Sequence, residues 1–187
     1  MTRRFNLLAT PLPDLHVFQR QHLGDARGYL QRLFCADELA SFGWTQAVAQ
    51  INHTFTIKKG SVRGIHLQMQ PHSETKLITC LRGEVWDVAV DLRADSLTFL
   101  QWHAELLSAD NQRSYLIPPG FGHGFQTLTD EVEMVYCHSQ SYIPASEMSI
   151  NPFDANIGVT WPLIVTEMSD KDRNTAMLTK DFMGVEV

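Results

Sequence analysis

The chain has 187 residues, of which 44% are hydrophobic, and it carries a formal net charge of −6 at pH 7. This size and apolar content allow one domain with a sizeable core, which we expect to span residues 1–187. The acidic balance argues against a nucleic-acid or membrane-surface binder, since such proteins present a field of lysine and arginine. No apolar run approaches the roughly 20 residues of a membrane span, and MTRRFNLLATPLPDL lacks a signal-peptide core, so we expect a cytoplasmic protein.

Short β-branched and aromatic runs alternate with Gly, Pro, Asn and Asp, which predicts an all-β sandwich or barrel. Two strands are expected around the turn GDARG, followed by a short helix over CADELASFG that Gly43 closes. Residues SDKDRNTAML predict a C-terminal helix behind a Ser or Asp cap. The number and spacing of strands indicate a jelly roll, a double sheet that can hold a small ligand, with short peripheral helices. The other predicted strands are WTQAVAQINHTF, GSVRGIHLQ, KLITCLRG, EVWDVAVDLR, FLQWHAELLS, RSYLIPPG, GFGHGFQTLT and VEMVYCHSQSYI.

The three cysteines are scattered along the chain and lack CxxC spacing. Their neighbours are apolar, which favours reduced and mostly buried thiols over a disulfide framework or a zinc ribbon. The three residues are Cys35, Cys80 and Cys137.

Two polar residues stand inside apolar strand segments. Strand alternation puts Arg63, Ile65 and Leu67 on one face and Val62, Gly64, His66 and Gln68 on the other. The same alternation groups Lys76 with Ile78 and Cys80. A buried charge must be paired or must line a wet cavity, although a lysine at a strand end can also extend its ammonium group into water.

Two further polar residues lie in strand or turn segments. His123 occurs in IPPGFGHGF and Tyr136 in VEMVYCHSQSY. Taken singly, His123 can be a loop histidine held by hydrogen bonds, and Tyr136 can be a core tyrosine whose hydroxyl reaches water. A metal centre would need His53, His66, His72 and His123 to converge, but no two of them have ligand spacing on a common strand face, so we expect no metal.

Taken together, these segments resemble the dTDP-4-dehydrorhamnose 3,5-epimerases, cupin-like enzymes of deoxysugar and lipopolysaccharide biosynthesis. The resemblance rests on GSVRGIHLQ, Lys76, RGEVWDVAVDLR, FLQWHAELLSADN, LIPPGFGHGF, YCHSQSYIPASE and GVTWP, in order from about Asp25 to Asp172. It implies a jelly-roll homodimer without metal or other cofactor that binds a nucleotide-diphosphate-linked 4-keto-6-deoxyhexose. It also implies N-terminal strands that contribute to the dimer.

The resemblance assigns catalytic roles to four residues. His66 is implied as the base that removes a proton next to the C4 ketone, and a carboxylate partner is implied at Asp172, with Asp170 close enough to compete. Lys76 is implied beside the enolate oxygen, and Tyr136 as the acid on the other face of the sugar. His123 and Asp87 are implied to be further polar groups of the cavity.

The same resemblance implies a set of substrate contacts. Arg27 and Arg63 match phosphate contacts, in keeping with the preference of diphosphates for guanidinium groups. An ordinary surface charge beside a turn remains the alternative for Arg27. The residues that match other substrate contacts are Gln50, Asn52, Tyr142, Glu147 and Trp161.

The chain departs from the family pattern after Gly28. Leu30 and Arg32 stand where an aromatic residue and a glutamate would be usual, at the place that is thought to read the base. A guanidinium can donate to the bare N3 of cytosine, so a preference for CDP over dTDP is one hypothesis. The alternative is that Arg32 points to solvent or pairs with an acidic neighbour.

Other functions stay open on the sequence alone. Epimerisation at C3, at C5 or at both carbons cannot be separated, because each route passes through an enolate. More remote alternatives are a metal-dependent cupin enzyme and a non-enzymatic sugar-binding cupin.

Overall fold

A computed structural model describes residues 3–187 and shows two antiparallel sheets packed face to face. The first sheet has six strands in the order β1-β2-β10-β7-β12-β5, and the second has five in the order β13-β6-β11-β8-β9. A two-stranded hairpin, β3-β4, projects separately. The strands are β1 Phe5–Leu8, β2 His16–Arg20, β3 His22–Asp25, β4 Gly28–Gln31, β5 Gln50–Thr56, β6 Val62–Gln68, β7 Lys76–Arg82, β8 Glu84–Asp91, β9 Trp102–Ser108, β10 Arg113–Ile117, β11 Phe121–Thr127, β12 Val132–His138 and β13 Glu147–Ser149.

The space between the sheets is filled by the main apolar cluster, to which both sheets contribute alternate residues. Ile78 and Cys80 enter it from β7, and Val85 and Ala89 enter it from β8. The predicted face of β7 is therefore confirmed. The cluster leaves one end of the sandwich open, and there polar side chains replace apolar ones.

The outer faces of both sheets are also covered. The segment after β13 packs over the five-stranded sheet, where Ile157 and Val185 contact the cluster of Ile65 and Leu67. The region around Trp44 covers the six-stranded sheet. Strands with both faces buried explain why several segments appear as continuous apolar runs in the sequence.

The helices are short and peripheral, as predicted. Helix α1 spans Ala36–Leu39 and continues into a 3₁₀ turn, Ala40–Phe42, which Gly43 ends in the left-handed conformation. Helix α2 is the predicted C-terminal helix but spans only Asp170–Asn174. Its cap is Ser169, whose side chain accepts a hydrogen bond from the amide of Asp172.

Two predictions made from composition can also be compared with the structure. All three cysteines are free thiols, and Cys80 and Cys137 are buried, as expected. Across residues 3–187, no helix is long and apolar enough to cross a membrane.

Strand β6 departs from regular alternation, which corrects one prediction. His123 of β11 pairs with His66, whereas Phe125 pairs with Arg63, so the register shifts by one residue between these positions. This β-bulge puts Arg63 and His66 along the same cavity, although strict alternation had put them on opposite faces. Gly64 makes the bulge possible because its φ of +110° is accessible to glycine.

Candidate active site

A cavity of about 720 Å³ opens between the two sheets. Its first wall belongs to the six-stranded sheet and carries Asn52, Lys76 and Tyr136. Its second wall belongs to the five-stranded sheet and carries His66 and His123. A small molecule in this cavity would therefore have an imidazole on one side and a phenol on the other.

His66 is oriented by a carboxylate from the C-terminal segment. Its Nε2 lies 2.6 Å from Oδ1 of Asp172, and Oδ2 of Asp172 accepts a hydrogen bond from the amide of Gly64 at 3.3 Å. Burial alone would raise the pKa of Asp172, but the contacts with His66 and Gly64 more than offset it, so this pKa lies below its usual range. Asp172 is thus an anion that fixes the imidazole ring.

Lys76 is buried and charge-paired. Its ammonium lies 3.2 Å from Oε1 of Glu74 and donates to the carbonyl of His66 at 3.3 Å. Burial alone would raise the pKa of Glu74, but Lys76 and His138 lower it below its usual range. Lys76 thus lines the cavity with a carboxylate partner rather than reaching bulk water from a strand end.

A second imidazole–carboxylate pair lies deeper on the wall of the five-stranded sheet. Nε2 of His123 is 2.9 Å from Oδ1 of Asp87, and the other oxygen of Asp87 has no hydrogen-bond partner. Burial raises the pKa of Asp87 despite its contact with His123. The ring of His123 meets the edge of the Tyr136 ring at a centroid distance of 5.8 Å.

Tyr136 is the phenol of the opposite wall. Its side chain is buried, and its hydroxyl makes one weak contact, with the sulfur of Met134 at 3.6 Å. Burial raises the pKa of this phenol above its usual range, and the charge of Asp87 acts in the same direction. Tyr136 is therefore a protonated group whose hydroxyl is free for a ligand.

Polar side chains from several segments surround the cavity mouth. Arg63 is exposed there and donates weakly to the hydroxyl of Thr56 at 3.4 Å. Glu147 accepts from the hydroxyl of Tyr142 at 2.8 Å and lies 2.6 Å from the ammonium of Lys171. The mouth can therefore offer a cation and hydrogen-bonding groups to the larger part of a ligand.

A family model described as dTDP-4-dehydrorhamnose 3,5-epimerase matches residues 9–180. The chain belongs to this family. It is 40% identical over 178 residues to the dTDP-4-dehydrorhamnose 3,5-epimerase of Salmonella typhimurium, covering 92% of this chain and 94% of that protein. The predicted membership of this family and the predicted enzyme class, an isomerase, are thereby confirmed.

Solved structures of the epimerase family share the fold. The dTDP-6-deoxy-D-glucose-3,5-epimerase of Legionella pneumophila, in complex with dTDP-4-keto-L-rhamnose, superposes with a TM-score of 0.90 at 34% identity over 98% of both chains. A double mutant of a 3′-monoepimerase from Streptomyces bikiniensis, in complex with dTDP, gives 0.84 at 31% identity over 90% of this chain and 85% of that one. The jelly-roll prediction is therefore confirmed.

Within this epimerase, the cavity brings together most residues that the sequence singled out. Asp172, and not the exposed Asp170, contacts His66. The predicted site residues that line the cavity are Asn52, Arg63, His66, Lys76, His123, Tyr136, Tyr142, Glu147 and Asp172.

Other predicted residues lie elsewhere in the chain. Gln50 is beside the mouth, where it bonds to Asn52 and to the amide of Tyr142. Arg27 is on the projecting hairpin, with its side chain 90% exposed and paired with Asp25. Trp161 is a correction, because its indole donates to the carbonyl of Pro152 at 2.8 Å and packs on the outer face of the five-stranded sheet, away from the cavity.

The structure also bears on the two candidates for base recognition. Arg32 forms an ion pair with the buried carboxylate of Glu38, which is the acidic-neighbour alternative. Glu38 also accepts from the backbone amides of Arg4 and Phe5, so the pair ties the N-terminal strand to helix α1. Leu30 is 73% exposed on the hairpin and does not line the cavity.

The sequence analysis missed Glu74 and His138, although both line the cavity. His138 stands two positions after the selected Tyr136 on β12, and strand alternation puts such a pair on one face, so that signal could have found it. Glu74 stands two positions before Lys76, in the segment that leads into β7, where alternation does not apply. Among residues 3–187, no three His, Cys, Asp or Glu side chains converge in a way that could hold a metal ion.

Proposed function

We propose that this protein epimerises a nucleotide-diphosphate-linked 4-keto-6-deoxyhexose by removing and replacing protons beside the ketone. The observation that carries the proposal is the position of the His66–Asp172 pair on one cavity wall and Tyr136 on the other. Inversion at carbon needs a base on one face of the sugar and a proton donor on the opposite face. A cavity between two sheets provides that separation.

The first step is removal of a proton from C5 or C3 by His66. The C4 ketone makes these protons acidic, since the electron pair left on carbon is shared with the carbonyl oxygen. The contact with Asp172 supports this role, because the carboxylate orients the ring and stabilises the imidazolium that forms.

The charge on the enolate oxygen then needs a partner. Lys76 supports that role because its ammonium is already fixed between Glu74 and the carbonyl of His66. A cation that is preorganised in a buried site requires little reorganisation when the charge develops.

Tyr136 completes the inversion by giving its proton to the opposite face of the same carbon. Its raised pKa keeps it protonated until the enolate is present. The double mutant of the Streptomyces 3′-monoepimerase supports this pairing, since it replaces a histidine by asparagine and a tyrosine by phenylalanine, the same number of positions apart as His66 and Tyr136.

We propose dTDP as the nucleotide. The relatives are named for dTDP sugars, and the guanidinium of Arg32, on which the CDP hypothesis rested, is held by Glu38. Arg63 at the mouth is the cation that we assign to the diphosphate. Comparison of kcat/KM for the dTDP- and CDP-linked sugars tests the assignment, and a tenfold preference for CDP would contradict it.

We also propose a homodimer. The β3–β4 hairpin exposes Leu23, Tyr29 and Leu30, and strand β5 at the sheet edge exposes Ile51 and Phe55. Apolar side chains on a sheet edge favour pairing with another chain. Light scattering on the purified protein measures this directly, and a monomer at micromolar concentration would disprove it.

The deciding experiment is incubation with dTDP-4-keto-6-deoxyglucose in deuterated water, followed by NMR. Deuterium at C3, at C5 or at both identifies the carbons that are attacked, and a changed ring configuration shows which centre inverts. Replacing His66 with Asn should slow the exchange by about 10²- to 10⁴-fold, the usual loss for a general base. His103→Asn is the matched control, because His103 lies on β9 and faces Glu105 outside the cavity.

The remote alternatives give different results in the same experiment. A sugar-binding cupin would bind the nucleotide sugar without exchange. A metal-dependent cupin would lose activity on dialysis against a chelator and regain it with metal. Exchange at wild-type rate in the His66→Asn variant would remove His66 from the mechanism.

A further inference from the structure

A continuous row of polar contacts joins the cavity mouth to Lys76. Gln50 contacts Asn52 at 3.0 Å, and Asn52 contacts Nε2 of His138 at 3.3 Å. Nδ1 of His138 lies 2.7 Å from Glu74, whose other oxygen is 3.2 Å from the ammonium of Lys76. The role proposed above for Lys76 uses only the last member of this row.

The row begins at a group that can only donate a hydrogen bond and ends at a group that can only accept one. These two groups fix the direction of every hydrogen bond between them. At the mouth, the backbone amide of Tyr142 can only donate, so Gln50 presents its oxygen there and its NH₂ to Asn52. Asn52 must then present its own NH₂ to His138. At the other end, the carboxylate of Glu74 can only accept.

These directions leave one form for His138. Nδ1 carries the hydrogen and donates to Glu74, and Nε2 is bare and accepts from Asn52. An imidazolium would instead place Nε2–H against the NH₂ of Asn52, which removes that contact. The row is therefore complete only while His138 is neutral.

Few charged groups face this imidazole. Glu74 approaches from the segment before β7, and Lys76 approaches from β7 itself. Tyr136, on the same strand as His138, stacks on it with a centroid distance of 6.2 Å and an interplanar angle of 19°. Strand β5 contributes the uncharged Asn52 and Gln50. The side chains of Glu74 and His138 are 8% and 12% exposed, so water screens these contacts little.

We propose that Glu74 and His138 are positioning residues, and that the neutral, Nδ1-protonated form of His138 holds Asn52 and Lys76 in place for the sugar. The proposal rests on the function proposed above and adds a second histidine whose protonation slows turnover. His66 must be neutral to act as the base. His138 must be neutral to keep the row intact.

The tautomer can be measured without substrate. Long-range ¹H–¹⁵N spectra of histidine-labelled protein at pH 8 should include a ring with hydrogen on Nδ1 that is missing in the His138→Gln variant, beside that of His22, whose Nδ1 faces the amide oxygen of Gln112. A ring with hydrogen on Nε2 at this position overturns the proposal whatever the substrate is. The thermal midpoint of the variant shows that it is folded.

The pH dependence of kcat/KM tests the effect on catalysis. If both histidines must be neutral, log(kcat/KM) of the wild type falls at low pH with a slope steeper than the value of one that a single group gives, and His138→Gln reduces the slope to about one. At pH 8 the variant should lose about tenfold in kcat/KM, the loss typical of one hydrogen bond. His103→Gln, on β9 beside Glu105 and outside the cavity, is the control and should change neither value.

A double-mutant cycle separates a shared role from two independent ones. Glu74→Gln and His138→Gln act on the same row, so the double variant should be no slower than the slower single variant. The proposal is overturned if the losses of kcat/KM in the two single variants multiply fully in the double variant. It is also overturned if log(kcat/KM) of the wild type falls with a slope of one at low pH. Absence of deuterium exchange in the wild type would instead contradict the proposed function, and the tautomer measurement would still test the row.

Discussion

Oδ1 of Asp172 lies 2.6 Å from Nε2 of His66, although the two residues are 106 positions apart in the chain. Helix α2, which carries Asp172, spans five residues and has its Ser169 cap bonded to the amide of Asp172. The carboxylate is thus held by a local turn on one side and by the amide of Gly64 on the other. Its position depends on the docking of the C-terminal segment against β6.

Asp172→Asn is expected to slow proton exchange by roughly 10²-fold or more, because an amide does not stabilise the imidazolium as an anion does. Asp170→Asn is the matched control, since Asp170 is exposed on the same helix. Deuterium exchange under single-turnover conditions measures the step directly. Equal rates for the two variants would mean that the carboxylate has no part in it.

Tyr136→Phe is expected to separate exchange from inversion. His66 and Lys76 remain in place, so deprotonation continues, but the enolate can then be reprotonated only from the original face. Deuterium should enter the substrate while its configuration is retained. The measurement is the ratio of exchanged substrate to inverted product in deuterated water. An unchanged ratio would assign the donor role to another group or to water.

The sequence predicted the double sheet and most of the cavity for a simple physical reason. A charged or hydrogen-bonding group in an apolar strand has few structural explanations, and His66 and Lys76 are of this kind. Strand alternation then extends the argument to neighbours on the same face. His138 was within reach of that argument through Tyr136, whereas Glu74 lies before β7 and outside regular alternation.

The remaining differences between the sequence predictions and the structure depend on contacts that a pattern along the chain does not encode. The face of Arg63 was wrong because the bulge at Gly64 shifts the register, and only the pairing with β11 reveals it. The Arg32–Glu38 pair joins the residue after β4 to helix α1, so alternation within one element could not find it. Trp161 packs outside the sandwich because the chain after β13 folds over the outer face of the sheet.

Asp91→Asn is expected to destabilise the fold in a pH-dependent way. Burial alone would raise the pKa of Asp91, but hydrogen bonds from Arg93, Ser96 and Thr98 lower it below its usual range. A folded pKa below the unfolded value of about 3.9 means that the ionised group stabilises the fold above that pH. This contribution is lost as the pH falls through the folded pKa.

We expect Asp91→Asn to lower the free energy of unfolding by about 1–3 kcal/mol at pH 7. The difference in free energy of unfolding between wild type and variant should narrow below about pH 4, where the unfolded chain takes up a proton at this carboxylate before the folded protein does. Urea denaturation at several pH values measures both effects. Asp95→Asn is the control, because Asp95 is exposed. If the difference in free energy of unfolding between wild type and Asp91→Asn stays constant between pH 7 and pH 3, the stabilising role assigned to ionised Asp91 is wrong.

Gly64→Ala tests whether the bulge supports the site. A Cβ at this position would lie 2.6 Å from both the Cα of Gly124 and the carbonyl oxygen of His123. Gly43→Ala is the control, since Gly43 also has a positive φ, of +97°, but has no atom within 4 Å of such a Cβ. We expect a cost of about 1 kcal/mol for Gly43→Ala. The cost of Gly64→Ala should be roughly 3 kcal/mol or more, with loss of exchange activity.

Urea denaturation and the deuterium assay on the same preparations compare the two glycine variants. Equal destabilisation would show that backbone strain alone is responsible and that the contact with β11 is unimportant. A folded Gly64→Ala variant with normal exchange would show that His66 does not depend on the bulge.

The bulge divides β6 into two segments whose registers can change separately. The segment before it carries Arg63, which we assign to the diphosphate, and the segment after it carries His66. Residues 63 and 66 are an odd number of positions apart, so an unbroken strand would turn the guanidinium and the imidazole to opposite faces. The extra residue at the bulge lets one short strand supply both a diphosphate contact and the base to a single cavity.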